Sequence, residues 1–193
     1  MKTRLAARLG ATRARRLHER LTAAALGTAR AARCGPVELH VTAHHAWLKF
    51  LSSRHALACR LQRGENLGER MAHATREALR RAPFVVLIGA DCPELGSREL
   101  RRAARWLRGG ADVVLAPAHD GGYALVGLAR PADFLFRDMP WGSERVYAES
   151  VARLERAGAR WRALACVSDV DRPEDLACVR WLRLASAARQ YAR

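Results

Sequence analysis

One stretch, Phe84 to Pro93 (FVVLIGADCP), constrains this chain more than any other. Five strongly apolar residues, three of them β-branched, run into Gly89 and stop at Asp91, which is followed by Cys92-Pro93. That pattern reads as a buried strand ending in a polar turn. Open α/β sheets present their chemistry at the carboxyl ends of such strands. Asp91 is therefore the first candidate functional residue, and the rest of the chain is read by whether it can reach that point.

Two further stretches share the pattern. Asp112 to Pro117 (DVVLAP) ends in the turn Ala118-His119-Asp120-Gly121-Gly122, and Tyr123 to Leu128 (YALVGL) follows it. Shorter strands are expected at Val37 to Val41, Ala56 to Gln62 and Trp161 to Val167. Helical spacing covers Leu5 to about Arg33, with a break at Gly10 or Gly27, and a short helix fits Trp47 to Leu51. Asn66 caps a helix from Leu67 to Arg81 with Glu69 as its reciprocal partner, and Ser97 caps another to Arg108 that Gly109-Gly110 ends. Ser143 to Ala157 is helical, Pro131 to Trp141 is irregular, and a last helix opens after Asp171. Strands alternating with helices predict an α/β fold with a mostly parallel sheet covered on both faces, in one domain spanning residues 1–193.

Half of the 193 residues are hydrophobic, enough for a sizeable core. The net charge of +15 is almost entirely arginine, since Lys2 and Lys49 are the lysines. The arginines are scattered through helical stretches and form no block, which fits solvated helix faces better than a nucleic-acid stripe, although such a field still attracts nucleotides. The five cysteines form no CxxC pair, and free thiols in a reducing, cytoplasmic setting are expected. No apolar run approaches the roughly 18 residues of a membrane span.

The three polar turns carry the candidate chemistry. If their strands share one sheet edge, Asp91, Asp120, Asp169 and Asp171 converge on one cleft. Two carboxylates about 4 Å apart repel by about 4 kcal/mol at an effective dielectric of 20, so convergence calls for a cation or a proton. Oxygen ligands without histidine or thiolate partners favour Mg²⁺ or Mn²⁺. Each residue alone has a simpler account: Asp91 starts a turn, Asp171 caps the last helix with Glu174, and Asp-Gly-Gly connects a hairpin. Adjacent His44 and His45 suit a surface turn. Trp106, Trp161 and Trp181 suit core packing, whereas Trp141, between Pro140 and Gly142, is a candidate substrate platform.

Taken in order, Lys2-Thr3-Arg4-Leu5, Gln62 with Gly64 and LGERM at 67–71, IGADCP at 88–93, APAHDGGYALVGL at 116–128, Trp141 and DVDRPEDL at 169–176 resemble a bacterial family of unassigned function. That family is described as glycosyltransferase-like or nucleotide-diphospho-sugar transferase-like, some members being labelled for arsenosugar biosynthesis. It is similar to the GT-A superfold, which includes the guanylyltransferases for molybdenum cofactor and 2-phospholactate. The resemblance covers nearly the whole chain and implies a Rossmann-like sheet and a Mg²⁺-dependent transferase acting on a nucleotide or nucleotide-sugar substrate. By matching position, Gln62 and Gly68 contact the base, and Asp91 with Asp169 or Asp171 holds the metal. Asp120, Gly121, Gly122 and Tyr123 face the sugar or acceptor, with Asp120 as contact or general base, and Lys2 and Arg4 end a basic phosphate-binding segment. Glycosyl and nucleotidyl transfer stay open, as does a non-catalytic Arg-rich polyanion-binding protein.

The departure from the family is at the start. Its members open with a central strand and a Pro-x-Pro-Gly-x-Val-Lys-Thr-Arg-Leu loop, whereas here Met1 stands where the valine would be. Without that strand, backbone groups inside the sheet lose partners at about 1–3 kcal/mol each. The expectation is a true start upstream, which also accounts for the Arg-rich, transit-like stretch from Met1 to His18.

Overall fold

A computed structural model of the chain describes residues 3–171 and 175–176, with Thr3 and Arg4 described in backbone only. Lys2, Cys178, Trp181 and most of the expected last helix lie outside the described residues. The long N-terminal helix breaks at Gly10, whose φ of 78° is in the region glycine alone enters easily, into α1 (Thr3–Leu9) and α2 (Ala11–Ala32). Gly27 sits inside α2 without breaking it. There follow β1 (Glu38–Val41), α3 (Ala46–Arg54), β2 (Ala58–Leu61), α4 (Leu67–Leu79), β3 (Val85–Ile88) and α5 (Ser97–Arg108). The chain continues through β4 (Val113–Pro117), β5 (Tyr123–Leu128), a 3-10 turn at Asp133–Leu135, α6 (Val146–Arg156) and β6 (Trp161–Ala163).

The Asn66 cap is formed, its side chain accepting from the Glu69 amide at 2.9 Å. Glu69 returns to the Glu65 amide and to the Asn66 side chain rather than to the Asn66 backbone. At α5 the cap moves one residue earlier: Gly96 is the N-cap, its amide donating to Glu99 at 3.1 Å, and Ser97 is the first helical residue. A glycine N-cap leaves no side-chain oxygen to accept from the first turn, so only the Glu99 half of the exchange has a side chain behind it.

The strands form two sheets. β1 and β2 pair in parallel, and the other four run in the order β3-β5-β4-β6. Within the second sheet β4 and β6 are parallel, while β5 is antiparallel to both β3 and β4. β5 is reversed because it follows β4 through a short hairpin, and a tight hairpin can only join antiparallel neighbours. All four residues of β3 are only half buried despite being Val, Val, Leu and Ile, whereas the strand residues Val113 to Ala116 of β4 are buried.

Alternation along the strands covers both faces of the larger sheet. Val114, Ala116 and Leu125 pack with Leu100, Ala103 and Leu107 of α5 and with Ala32 of α2. Val113, Leu115, Val126 and Leu128 pack with Ala72 of α4 and Leu154 of α6. A third cluster, Leu5, Ala14, Leu21 and Val170, fastens the N-terminal helices to the segment after β6. No helix among the described residues is long and apolar enough to cross a membrane. Cys34, Cys59, Cys92 and Cys166 are free thiols.

A charge cluster ties the small sheet to the end of α4. Glu38 accepts from Arg60 at 2.9 Å and from Arg81 at 2.5 Å, with His40 at 3.4 Å. The Arg81 hydrogen bond, helped by Arg60 and opposed by burial, lowers the Glu38 carboxyl to about 2. A depressed carboxyl stabilises the fold fully above its ordinary value of 4.5, and the contribution disappears as pH falls through about 2. Glu38→Gln is expected to cost roughly 1 kcal/mol at neutral pH. Urea denaturation should show the wild-type advantage shrinking from pH 4.5 downward and gone near pH 2; a constant difference across that range would refute the assignment.

Candidate functional site

The three polar turns meet at one edge. β3 ends at Ile88, and the Gly89 amide extends its pairing by donating to the Ala124 carbonyl at 2.9 Å, leading into the Asp91 turn. β4 ends at Pro117 in a hairpin closed by Ala118 N to Gly122 O at 3.0 Å and Gly121 N to Ala118 O at 3.0 Å. Since β5 is antiparallel, its first residue, Tyr123, lies at the same edge. After β6 the chain keeps company with β4, Val167 donating to Pro117 O at 3.0 Å and accepting from the His119 amide at 3.1 Å. It then crosses to the Asp91 turn, where the Ser168 amide donates to the Glu94 carboxylate at 2.7 Å and the Val170 amide to the Asp91 carbonyl at 2.9 Å. One segment, residues 164–170, thus stitches the turns after β4 and β3 together across the end of β5.

Val170 is fully buried against α1 and α2, which pins the aspartates flanking it beside the Asp91 turn. The Asp171 amide donates to the Asp175 carboxylate at 3.0 Å. At Asp91, half exposed at the strand end, the neighbour is His18 of α2, whose Nδ1 lies 3.7 Å from Asp91 Oδ1. That nitrogen is closed off from solvent and makes no hydrogen bond among the described residues. His18 was not singled out from the sequence, yet a signal was there: it lies four residues after Ala14 and three before Leu21, on the face of α2 that is buried against Val170. Glu94, which positions Ser168, was missed as well, because nothing local marks a carboxylate whose partner is 74 residues away.

The hairpin tip is built for packing as much as for exposure. Asp120 Oδ1 accepts from the Gly122 amide at 2.9 Å, the closed turn that Asp-Gly sequences favour. Gly121 has φ 86°, and a Cβ there would come within 2.1 Å of the Glu144 carbonyl oxygen, while its own carbonyl accepts from the Tyr147 amide at 2.8 Å. The loop therefore docks on the start of α6 by backbone alone. His119, at the same tip, places Nδ1 3.5 Å from the exposed Cys166 thiol.

Tyr123, Trp141 and Gly68 also come together. The Tyr123 and Trp141 rings meet edge to face with centroids 6.2 Å apart. A Cβ on Gly68 would lie 2.2 Å from the Phe136 carbonyl oxygen and 2.7 Å from Trp141 Nε1, so only glycine lets α4 approach this loop. The Tyr123 hydroxyl is buried with no hydrogen-bond partner among the described residues, and burial pushes its pKa well up. Gln62, by contrast, sits on the small sheet, its backbone amide donating to Val41 O at 2.8 Å and its side-chain amide to His40 O at 3.1 Å.

Among the described residues no three His, Cys, Asp or Glu side chains gather as a ready metal cage. The edge offers instead one strand-end carboxylate, Asp91, with the Asp169-Val170-Asp171 turn bonded to its backbone. Mg²⁺ bound through one or two carboxylates and completed by water and substrate phosphates needs no more from the protein, so the donor set fits such an ion.

An α/β fold with helices on both faces of the sheet and polar turns gathered at one edge is shared with structures of the nucleotide-sugar transferase kind. The chain belongs to the DUF2064 family, described as an uncharacterised protein conserved in bacteria, whose pattern matches residues 22–143. That span includes Gln62, Gly68, Asp91, the 120–123 turn and Trp141, and stops short of Asp169 and Asp171 at one end and His18 at the other. The chain is similar to a crystal structure from Desulfovibrio desulfuricans G20 that is provisionally named a nucleotide-diphospho-sugar transferase. The two share 29% identity and a TM-score of 0.77, over 89% of this chain and 76% of that one. A CMP:2-keto-3-deoxy-manno-octonic acid synthetase complexed with CTP shares the fold at TM-score 0.52 and 14% identity, over 77% of this chain and 81% of that one. No curated protein matches the chain in sequence.

Proposed function

We propose that this protein is a Mg²⁺-dependent transferase using a nucleotide-activated donor, a glycosyltransferase acting on a nucleotide sugar. The observation that carries the reading is the pair of bonds, Val170 N to Asp91 O and His119 N to Val167 O, that draws three polar turns to one sheet edge. The provisional name of the Desulfovibrio relative supports the choice of donor.

In this reading Asp91, with Asp169 or Asp171, holds the Mg²⁺ or Mn²⁺. Bound there, the ion supplies positive charge against the diphosphate leaving group. Lys2 and Arg4 add cationic charge to the phosphates, and Gln62 and the stretch around Gly68 face the base. Gly68 acts by letting α4 close on Trp141, so its contribution is shape. Asp120, exposed at the hairpin tip, meets the acceptor and takes its proton, with one carboxylate oxygen held by Gly122 N and the base role falling to the other. His18 orients Asp91 from the helix side. The dispersed free thiols fit a cytoplasmic setting.

A thermal-shift screen of nucleotides and nucleotide sugars, with and without Mg²⁺, tests the reading. A ligand at 100 times its Kd stabilises by about 2.7 kcal/mol, or roughly 5–10 °C for a chain of this size. A shift of that order with a nucleotide sugar, lost in EDTA, is the expected result, and turnover should release a nucleoside diphosphate. Pyrophosphate release from a nucleoside triphosphate would convert the assignment to nucleotidyl transfer at the same edge. No shift with any nucleotide in Mg²⁺ would overturn both.

A further inference from the structure

The end of the sheet opposite Asp91 carries a second surface that the transferase reading does not use. A cleft of about 720 Å³ opens where α5 ends and where β4 and β6 begin, lined by Arg105, Trp106, Arg160, Trp161 and Arg162 beside the Gly109-Gly110 turn. None of its lining residues is acidic. The three guanidinium groups are exposed and the two indoles half buried.

One of the arginines is fixed in place. The buried Asp112 carboxylate accepts from the Arg160 backbone amide at 2.9 Å and from its guanidinium at 3.4 Å. Arg130 approaches the same carboxylate at 3.2 Å. One carboxylate shared by two guanidinium groups leaves a surplus positive charge at the rim. Arg102 lies over the Trp106 ring at 5.2 Å, adding a cation to an aromatic wall. Cationic forks beside the Trp106 indole at the edge of an open cleft match a ligand that has both phosphate and a flat base, Trp161 packing on the other face of the sheet. Simple polyanions use the arginines and have no use for the ring. The volume accommodates a nucleotide.

We propose that this cleft binds nucleotidyl groups, phosphate on Arg105, Arg160 and Arg162 and base against Trp106, the indole on the same sheet face as Arg162, as a site separate from the carboxyl edge. The same chemistry comes from a free mononucleotide or from a single-stranded nucleic acid. This cleft is independent of the transferase assignment, and the two can fail separately.

Fluorescence anisotropy with a fluorescein-labelled oligothymidylate of about ten nucleotides, in EDTA, tests it. Arg105→Glu/Arg162→Glu should weaken binding at least about tenfold and lower the salt slope by about 1.4, from about 0.7 per phosphate contact on single strands. The same charge change on α2, Arg16→Glu/Arg20→Glu, should leave affinity within about twofold. Trp106→Leu should weaken oligothymidylate several-fold and heparin not at all, whereas Trp161, which packs on the opposite face of the sheet, should tolerate Leu with affinity within about twofold; should the Trp106 variant fail to fold, the exposed arginine pair carries the test. Competition by UMP at matched nucleotide concentration assigns the site to free nucleotides, and competition only by oligomers assigns it to single strands. Equal loss in both arginine pairs, or binding that needs Mg²⁺ and Asp91, would overturn the proposal.

Discussion

Asp91→Asn is expected to reduce Mg²⁺-dependent nucleotide binding by on the order of 100-fold while leaving the fold intact. Asparagine keeps the size of the side chain and leaves in place the Asp91 carbonyl that accepts from Val170 N, so the stitched edge survives. What it removes is the negative charge that any cation at this strand end would need, and losing an ion's anionic ligand forfeits several kcal/mol of charge stabilisation. His18→Ala supplies the comparison. It removes the group 3.7 Å from Asp91 Oδ1 without touching the carboxylate, so binding should fall by roughly tenfold or less. Isothermal titration with the nucleotide sugar found by thermal shift, in Mg²⁺ and in EDTA, reads both. Binding by Asp91→Asn within about twofold of wild type would remove Asp91 from the site.

Gly121→Ala should be among the most destabilising conservative changes in the chain. The new methyl would sit 2.1 Å from the Glu144 carbonyl oxygen, a backbone atom that cannot step aside as a side chain can. The φ of 86° adds a left-handed cost of about 1–2 kcal/mol, and overpacking typically adds about 1–3 kcal/mol. A loss of about 2–5 kcal/mol corresponds to roughly 4–20 °C in Tm at this chain length. Gly122→Ala is the control: its φ is ordinary, and the nearest group to its methyl would be the Asp120 side-chain carboxylate, at 3.1 Å. It should cost less than about 1 kcal/mol. Equal melting temperatures for the two variants would show that the hairpin does not dock on α6 as described.

These two residues show where sequence reading reached and where it stopped. Asp91 was legible because a short β-branched apolar run bounded by Gly and Pro reads as a strand whose polar terminus lies at an edge, although β3 itself is only half buried and not the buried strand expected. The Asp-Gly-Gly turn was legible too, as the hairpin connection that β4 and β5 form, but not the packing of its tip. The reason Gly121 must be glycine is the carbonyl of Glu144, 23 positions further along, and no local pattern points to it. Gly68 is the same case, since the atoms excluding a side chain belong to Phe136 and Trp141. The β5 direction follows from a hairpin the sequence displays, yet a mostly parallel pattern of alternating elements does not announce one reversed strand.

The amino-acid sequence by itself determined the elements, the strand-end position of Asp91, the helix caps within a residue and the family resemblance, because these depend on contacts between near neighbours and on apolar period. Only the tertiary structure decided that residues 164–170 bind the turns after β3 and β4 into one edge, that His18 faces Asp91, and that arginines and tryptophans from α5 and β6 share a cleft at the other end. Those pairings join residues separated by dozens of positions, and their energy comes from burial and backbone hydrogen bonds available only once the sheet has assembled.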